Sequence, residues 1–307
     1  MRIGLKMGMQ QALTALHYAF PQLRIASALP VTRGRDNFVL QVNHNLIFRF
    51  PRNGATEAQL MREIKILPLL VERLTAPVPH FSYLWLPDDY FPSPFVGYSK
   101  LQGIWLNDPR IVPPMQKQLL PSLAQFFAEL HQFPLNQAQN CDVKGGDVTF
   151  WVALYRRRFE QIQAAVFPHL SESMQQRAQQ RWEAYLERHA SLSFAPTLIH
   201  RDLWLHHLLC DPEQGTLCGV IDWGEVAIGD PALDFMGLYL RWGRERMEEI
   251  RSLAKLAPDP TFWQRLDFYR EFYFQFYPPY TEAFKAAQSQ DYHVLEQHVH
   301  YIQSTLR

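Results

Sequence analysis

The sequence predicts an α+β fold in two lobes, a small β-rich first part and a larger, mainly helical second part. Three features carry that expectation. Short apolar runs broken by turn residues fill the first hundred positions, with one helical pattern among them. From about residue 115 onward, apolar side chains recur three and four apart. A length of 307 residues suits about two domains. The expected division is a lobe over residues 1–98, a hinge at 99–103 and a helical lobe over 104–307.

In chain order, Asn37 to Val42 and Asn45 to Phe50 are apolar runs separated by Asn43-His44, the pattern of a tight hairpin. Glu57 to Leu70 supplies a helix to cover it, with Leu60, Ile64 and Leu67 on one face and Met61 beside them. Pro68 removes a backbone donor near its end and is expected to terminate or kink it. After Pro77-Val78-Pro79 come a strand-like run, a turn at Pro87-Asp88-Asp89, and the apolar run Phe95 to Tyr98, which closes on Ser99-Lys100-Leu101-Gln102-Gly103. Leu119, Leu123, Phe126, Phe127 and Leu130 then share one helical face, as do Trp151, Leu154, Tyr155 and Phe159. Residues 196–222 are the one β-like interruption of this part. The last helix is expected over about 261–277, where the aromatic crowding from Phe262 to Tyr277 reads as core packing.

Composition narrows the function classes. With 47% hydrophobic and 20% charged residues the chain has the make-up of a folded protein, not a disordered one. Its 30 basic and 30 acidic residues cancel, so no overall field attracts nucleic acid or an anionic membrane. The start, MRIGLKMGMQ, lacks the apolar run of a signal peptide, and no window offers 18 consecutive apolar residues. Cys141, Cys210 and Cys218 have neither disulfide-framework nor zinc-cluster spacing. The expectation is a cytoplasmic chain with neither nucleic acid nor membrane as partner.

The informative segment runs from Thr197 to Gly224. Leu208 to Cys210 and Leu217 to Ile221 are short apolar runs joined by Asp-Pro-Glu-Gln-Gly, which is turn chemistry, so they predict a hairpin. That hairpin returns Asp222 to the level of His207 and of the loop holding Asp202. Phosphoryl transfer needs a carboxylate to position the attacking hydroxyl and accept its proton, and further ligands to hold Mg²⁺ against nucleotide phosphates. In protein kinases the catalytic Asp precedes a metal-binding Asn by five positions, and an Asp-Phe-Gly follows. Asp202 and His207 have that spacing, and Asp222-Trp223-Gly224 stands for the third element. Nearby, His200 reads as a buried loop organiser, Asp230-Pro231 as a helix cap, and His206 as exposed and idle.

In the first lobe, Gly34-Arg35-Asp36-Asn37 offers a turn that could cover phosphates, although it has one glycine and no GxGxxG. Alternation puts Arg49 on the strand face opposite Phe48 and Phe50, and the helix offers Glu63. A basic strand residue held by a helix acid is the kinase device for the α and β phosphates. Only seven of the 30 basic residues are lysines, and none lies on this strand, so Arg49 is the residue available.

With these pieces in place the sequence resembles the aminoglycoside phosphotransferase family, small-molecule kinases of bilobal protein-kinase-like fold, and most resembles the 2''-phosphotransferases. The resemblance spans roughly residues 25–280 and rests on GRDNFVLQV, LIFRFPR, EAQLMREIKIL, PFVGYSKLQG, LAQFFAELHQFP, HRDLWLHHLLCD, LCGVIDWGEVAIGDPALDF and FYREFYFQFY. It implies Asp202 as catalytic base, His207 and Asp222 as Mg²⁺ ligands, Arg49 and Glu63 as the phosphate pair, and Ser99 and Leu101 as the hinge that meets the purine. Tyr98, just before the hinge, resembles the bulky residue associated with GTP use, which implies GTP alongside ATP. Three departures stand out: Arg201 where the family commonly has Gly or Asn, Arg49 for the commoner lysine, and His207 where Asn is frequent.

The resulting expectation is a kinase that moves the γ-phosphoryl group of ATP or GTP onto a hydroxylated small molecule, in the manner of an antibiotic kinase. A kinase of another metabolite or a macrolide, and a nucleotide-binding pseudokinase, are the alternatives. The stretch after the DPxxDF motif reads Met236-Gly-Leu-Tyr-Leu-Arg241-Trp-Gly-Arg244-Glu-Arg246, with arginines where a polycation site would carry acids. Glu245, Glu248 and Glu249 are the acids close by.

Overall fold

A computed structural model describes residues 7–31 and 36–306, apart from the side chain of Phe274. In chain order the helices and strands begin with α1 (Met9–Ala19), β1 (Ala28–Val31), β2 (Asn37–Val42), β3 (Leu46–Pro51), α2 (Gly54–Arg73), β4 (Phe81–Trp85), β5 (Phe95–Ser99) and β6 (Ile104–Trp105). They continue with α3 (Pro113–His131), α4 (Leu135–Asn140), α5 (Val148–Val166), α6 (Glu172–Ala190), β7 (Thr197–Ile199), β8 (Leu208–Asp211), β9 (Thr216–Val220) and β10 (Ala227–Gly229). The last four are α7 (Met236–Leu253), α8 (Phe262–Glu271), α9 (Tyr277–Ser289) and α10 (Tyr292–Thr305). Two compact units result: Met1–Val143 with His200–Val226 and Arg241–Leu256, and Lys144–Ile199 with Ala227–Leu240 and Ala257–Arg307. No helix among the described residues is long and apolar enough to cross a membrane.

The first unit is built on an antiparallel sheet of order β1-β2-β3-β5-β4. The two sides of its strands have different tasks. Leu40, Val42, Phe48, Phe50 and Phe95 pack with Ala12, Ala15 and Leu16 of α1 in one core. Gly97 is required there, because a Cβ would sit 2.2 Å from the Phe48 ring. Arg49 lies between Phe48 and Phe50 and so points to the other side, toward α2. Only one helix is expected from the sequence before residue 99, and the described residues there hold two. The cap position of α1, Gly8, has no capping side chain, and only Ala12, Ala15 and Leu16 are buried. That weak stripe gains meaning from the sheet beneath it.

The second helix also departs from expectation. It starts at Gly54, not Glu57, because the Asn53 side chain accepts from the backbone N–H groups of Ala55 and Thr56. It runs through Pro68 to Arg73. Ile66, Leu67 and Leu70 are buried around the proline, whose ring is exposed, and that burial outweighs the lost backbone bond. The inward stripe is rotated too: Glu63 is fully buried whereas Ile64 is only half-buried.

The expected hairpin is β8-β9, and β6 joins it in a three-stranded sheet of order β6-β8-β9. Residues 99–103 lie tight on this sheet, since a Cβ on Gly103 (φ +124°) would meet Cys218 Sγ at 2.5 Å and the Cys210 carbonyl oxygen at 2.7 Å.

In the second unit β7 pairs with β10, a strand beyond the expected β interruption. Trp182 stacks on Phe159 and Tyr185 on Phe276, with Phe268 and Phe272 buried nearby. The aromatic run is core, as its spacing suggests, but it is not one final helix. A π-helical turn, Phe272–Phe276, separates α8 from α9, and α10 follows. Pro278 and Pro279 fall in the first turn of α9, where a missing N–H costs little, so these prolines start a helix. The same unit buries a charge network: Asp230 caps the 3₁₀ turn Pro231–Phe235 through Ala232 N–H and accepts from Arg265 and Tyr269. Arg265 also donates to Asp259 through both terminal nitrogens.

Candidate functional site

The hairpin builds the site. Ile221 N–H donates to the His207 carbonyl at 2.9 Å and Leu208 pairs with Val220, so the returning strand delivers Asp222 beside His207. Asp202, His207 and Asp222 each present a ligand atom, and these atoms lie within 4.8 Å of one another. The loop carrying Asp202 is held from below by His200, which is fully buried. Its Nε2 donates to the Ile221 carbonyl at 2.9 Å, which leaves Nδ1 to accept from Asp202 N–H at 3.3 Å. The ring rests against the buried indole of Trp223. His206 is exposed, as expected.

The geometry around His207 bears on metal binding. Its Nδ1 lies 2.7 Å from the Asp202 backbone carbonyl, which can only accept, so the proton sits on Nδ1. In the neutral ring the Nε2 lone pair then faces Asp222 Oδ2 at 3.5 Å. Asp202 Oδ2 lies 3.6 Å from Nδ1. Two hard carboxylate oxygens and one imidazole nitrogen converge, a donor set that fits a divalent cation. Burial, together with the negative charge of Asp222, pushes the Asp202 carboxyl up to about 6 against the opposing pull of His207.

On the sheet side, Arg49 and Glu63 form a bidentate pair, Nη1 to Oε2 at 2.6 Å and Nη2 to Oε1 at 2.9 Å. Both are buried. Burial raises the Glu63 carboxyl while the guanidinium pulls it down, and that same carboxylate keeps Arg49 firmly protonated. Tyr98, opposite Ile47 on β5, is buried beside this pair, and loss of water pushes its phenol up to about 12.

Ser99 ends β5 opposite Leu46 and is exposed, and the following Lys100 N–H donates to the Asn45 carbonyl. Leu101 lies over β9, where a Cβ on Gly219 would come 3.2 Å from its Cδ1. The structure therefore brings Asp202, His207 and Asp222 into one cluster, sets the Arg49–Glu63 pair in the same unit, ends β5 with Ser99 and lays Leu101 over β9 of the hairpin that leads to Asp222. The turn at Gly34 and Arg35 lies outside the described residues.

Three contributors were not legible in the sequence. Trp204 Nε1 donates to Asp202 Oδ1 at 2.7 Å and so fixes one carboxylate oxygen. Glu225 accepts from Arg201 at 2.8 Å and from Gln59 at 2.6 Å. Arg62 donates to the Gly224 carbonyl at 3.2 Å. Only the proximity of Trp204 to Asp202 in the chain hints at its role; the other contacts join residues more than twenty positions apart.

Residues 27–293 match the profile of the phosphotransferase enzyme family. The chain belongs to that family. A curated relative is viomycin phosphotransferase of Streptomyces vinaceus, 30% identical over 102 residues, which are 33% of this chain and 34% of that protein. The match thus spans about a third of that relative's length. Among solved structures, the GDP and kanamycin complex of APH(2")-IIia superposes with a TM-score of 0.77 at 27% identity, covering 96% of this chain and 97% of the other. A macrolide 2'-phosphotransferase type I shares the fold, with a TM-score of 0.70 at 18% identity over 97% of this chain and 99% of its own. The bilobal kinase-like α+β class expected from the sequence is the fold this family member has.

Proposed function

We propose that this phosphotransferase-family chain transfers the γ-phosphoryl group of ATP or GTP to a hydroxyl of a small molecule, as an antibiotic kinase. The observation that carries the reading is the cluster of Asp202, His207 and Asp222 at the open end of one hairpin. In this reading residues 1–98 hold the nucleotide, 99–103 form the hinge and 104–307 carry catalytic and acceptor groups.

The work of each residue follows from its surroundings. Asp202, with one oxygen tied to Trp204, keeps Oδ2 to orient the acceptor hydroxyl and take its proton. Arg49, aligned by Glu63, braces the nucleotide phosphates with a planar fork. His207 and Asp222 would hold Mg²⁺, which when bound neutralises phosphate charge. Ser99 and Leu101 offer backbone groups to the purine, and the bulk of Tyr98 beside the hinge favours use of GTP at least as well as ATP. Activity without a nucleic acid or membrane partner, in the cytoplasm, completes the proposal.

The acceptor is the open part. On α7, Arg244 pairs with Glu248 and Arg246 with Glu249, so those acids are already matched, while Arg241 and Glu245 are exposed. This balance argues against a strongly acidic cradle for polycations and favours a neutral or aromatic acceptor. A coupled kinase assay with Mg²⁺ and either ATP or GTP, run against kanamycin, gentamicin, viomycin, a macrolide and simple sugars, tests the reading. Phosphorylation of one of them that vanishes in Asp202→Ala supports it. Nucleotide binding without any turnover would favour a pseudokinase, and efficient use of kanamycin would refute the charge argument.

A further inference from the structure

Asp222 supplies a ligand atom from a loop that is not held by the hairpin alone. Its backbone is left-handed (φ +67°), and Trp223-Gly224-Glu225 follows as a short 3₁₀ turn. That turn lies against α2: a Cβ on Gly224 would meet Glu63 Oε1 at 3.5 Å and Gln59 at 3.7 Å. Arg62 holds the Gly224 carbonyl, and Gln59 donates to Glu225 Oε1. The other oxygen of Glu225 accepts from Arg201, the residue before Asp202. Arg201 itself has φ +70°, a conformation that costs a long side chain about 1 kcal/mol or more relative to glycine. A strained backbone residue whose side chain reaches across to the neighbouring loop is retained for what that side chain does.

We propose that Glu225 is a positioning residue that clamps three parts of the site, with Arg201 from the Asp202 loop on one oxygen and Gln59 from α2 on the other. The clamp sets Asp222 in register with the Arg49–Glu63 pair, because Gln59, Arg62 and Glu63 share one helix. It deepens the kinase reading and rests on it only for what is held: the nucleotide and its metal.

The test uses Arg201→Gly, which relieves the left-handed strain and so keeps the fold, and Glu225→Ala. Binding of fluorescent mant-ADP and mant-GDP is measured with and without Mg²⁺. Both variants are expected to lose about tenfold of the affinity gained from Mg²⁺, the usual effect of removing a group that orients a metal ligand, while Mg²⁺-free binding stays at the wild-type level. Amide exchange without ligand is expected to rise at residues 222–226 and in the first turns of α2, with the thermal midpoint of Arg201→Gly unchanged or higher. Wild-type Mg²⁺ dependence in both variants, or an equal loss with and without Mg²⁺, overturns the clamp. If wild-type protein binds neither nucleotide, the kinase reading fails, and exchange alone decides: unchanged protection at 222–226 overturns the clamp.

Discussion

Two clusters of acidic side chains around a basic one differ in what surrounds them. Around Arg265, two carboxylates meet one guanidinium: Asp230 and Asp259 accept from it at 2.6 to 2.9 Å, and Tyr269 and the Ala232 N–H take further lone pairs of Asp230. Arg265 is 1% exposed and Asp230 3%. Around His207, by contrast, Asp202 and Asp222 converge with side chains 37% and 49% exposed, and Arg49, whose charge Asp222 feels, is bonded to Glu63 instead. The first cluster is closed around a buried guanidinium bonded to both carboxylates; the second is open, with its two carboxylates beside a histidine. A buried charge survives folding when it is paired and hydrogen-bonded. Carboxylates that crowd together persist where water, a cation or a substrate can reach them. The contrast separates scaffold from site more sharply than the identity of the residues.

Each side of the contrast can be broken. The largest effect is expected at the open cluster: Asp202→Asn should lower turnover by at least about 10²-fold while nucleotide affinity barely changes, since in the proposed role the carboxylate acts on the acceptor hydroxyl. Asp222→Ala should instead weaken nucleotide binding, and only in the presence of Mg²⁺. Steady-state kinetics and nucleotide titrations read both, and near-normal turnover in Asp202→Asn would remove it from the catalytic role.

At the closed cluster the loss is in stability. Arg265→Met leaves Asp230 buried without its cation and should cost about 3–5 kcal/mol of unfolding free energy, measured by urea denaturation, with KM values unchanged in the fraction that remains folded. A cost below about 1 kcal/mol would mean that the network is no more than a surface pair.

The smallest change tests how the open cluster is tuned. Asp202 must be ionised to accept a proton, so turnover should be full well above pH 6 and fall as pH drops through its raised value of about 6. The Trp204 bond favours the charged form. Trp204→Phe should therefore move the acid limb to higher pH and slow turnover about three- to tenfold, the net worth of one ordinary hydrogen bond at a partly exposed group. An unmoved limb would show that the indole does no more than pack.

Much of the site was legible because its signals are local. The Asp-Pro-Glu-Gln-Gly turn between two apolar runs dictates a hairpin, and a hairpin of that length must return Asp222 to His207 whatever surrounds it. Alternation along β3 likewise forces Arg49 away from Phe48 and Phe50. Lobe class and the aromatic core came from periodicity for the same reason. The start of α2 and its passage through Pro68 were misread, because a cap at Asn53 and the burial of Ile66, Leu67 and Leu70 outweigh propensity.

What only the tertiary structure decided is which distant partners meet. The sequence by itself determined that an acid would stand five residues before a histidine and that a second acid would return beside them. It could not say that Gln59 and Glu225, 166 positions apart, would bond, or that Arg201 would accept a left-handed backbone to reach the same carboxylate. Nor could it foresee α1, whose short apolar stripe is stable only against the sheet that Leu40, Phe48 and Phe95 build. Turns and alternation are set by neighbours within a few bonds, whereas the energy of a clamp or a docked helix is realised only after the whole chain has closed around it.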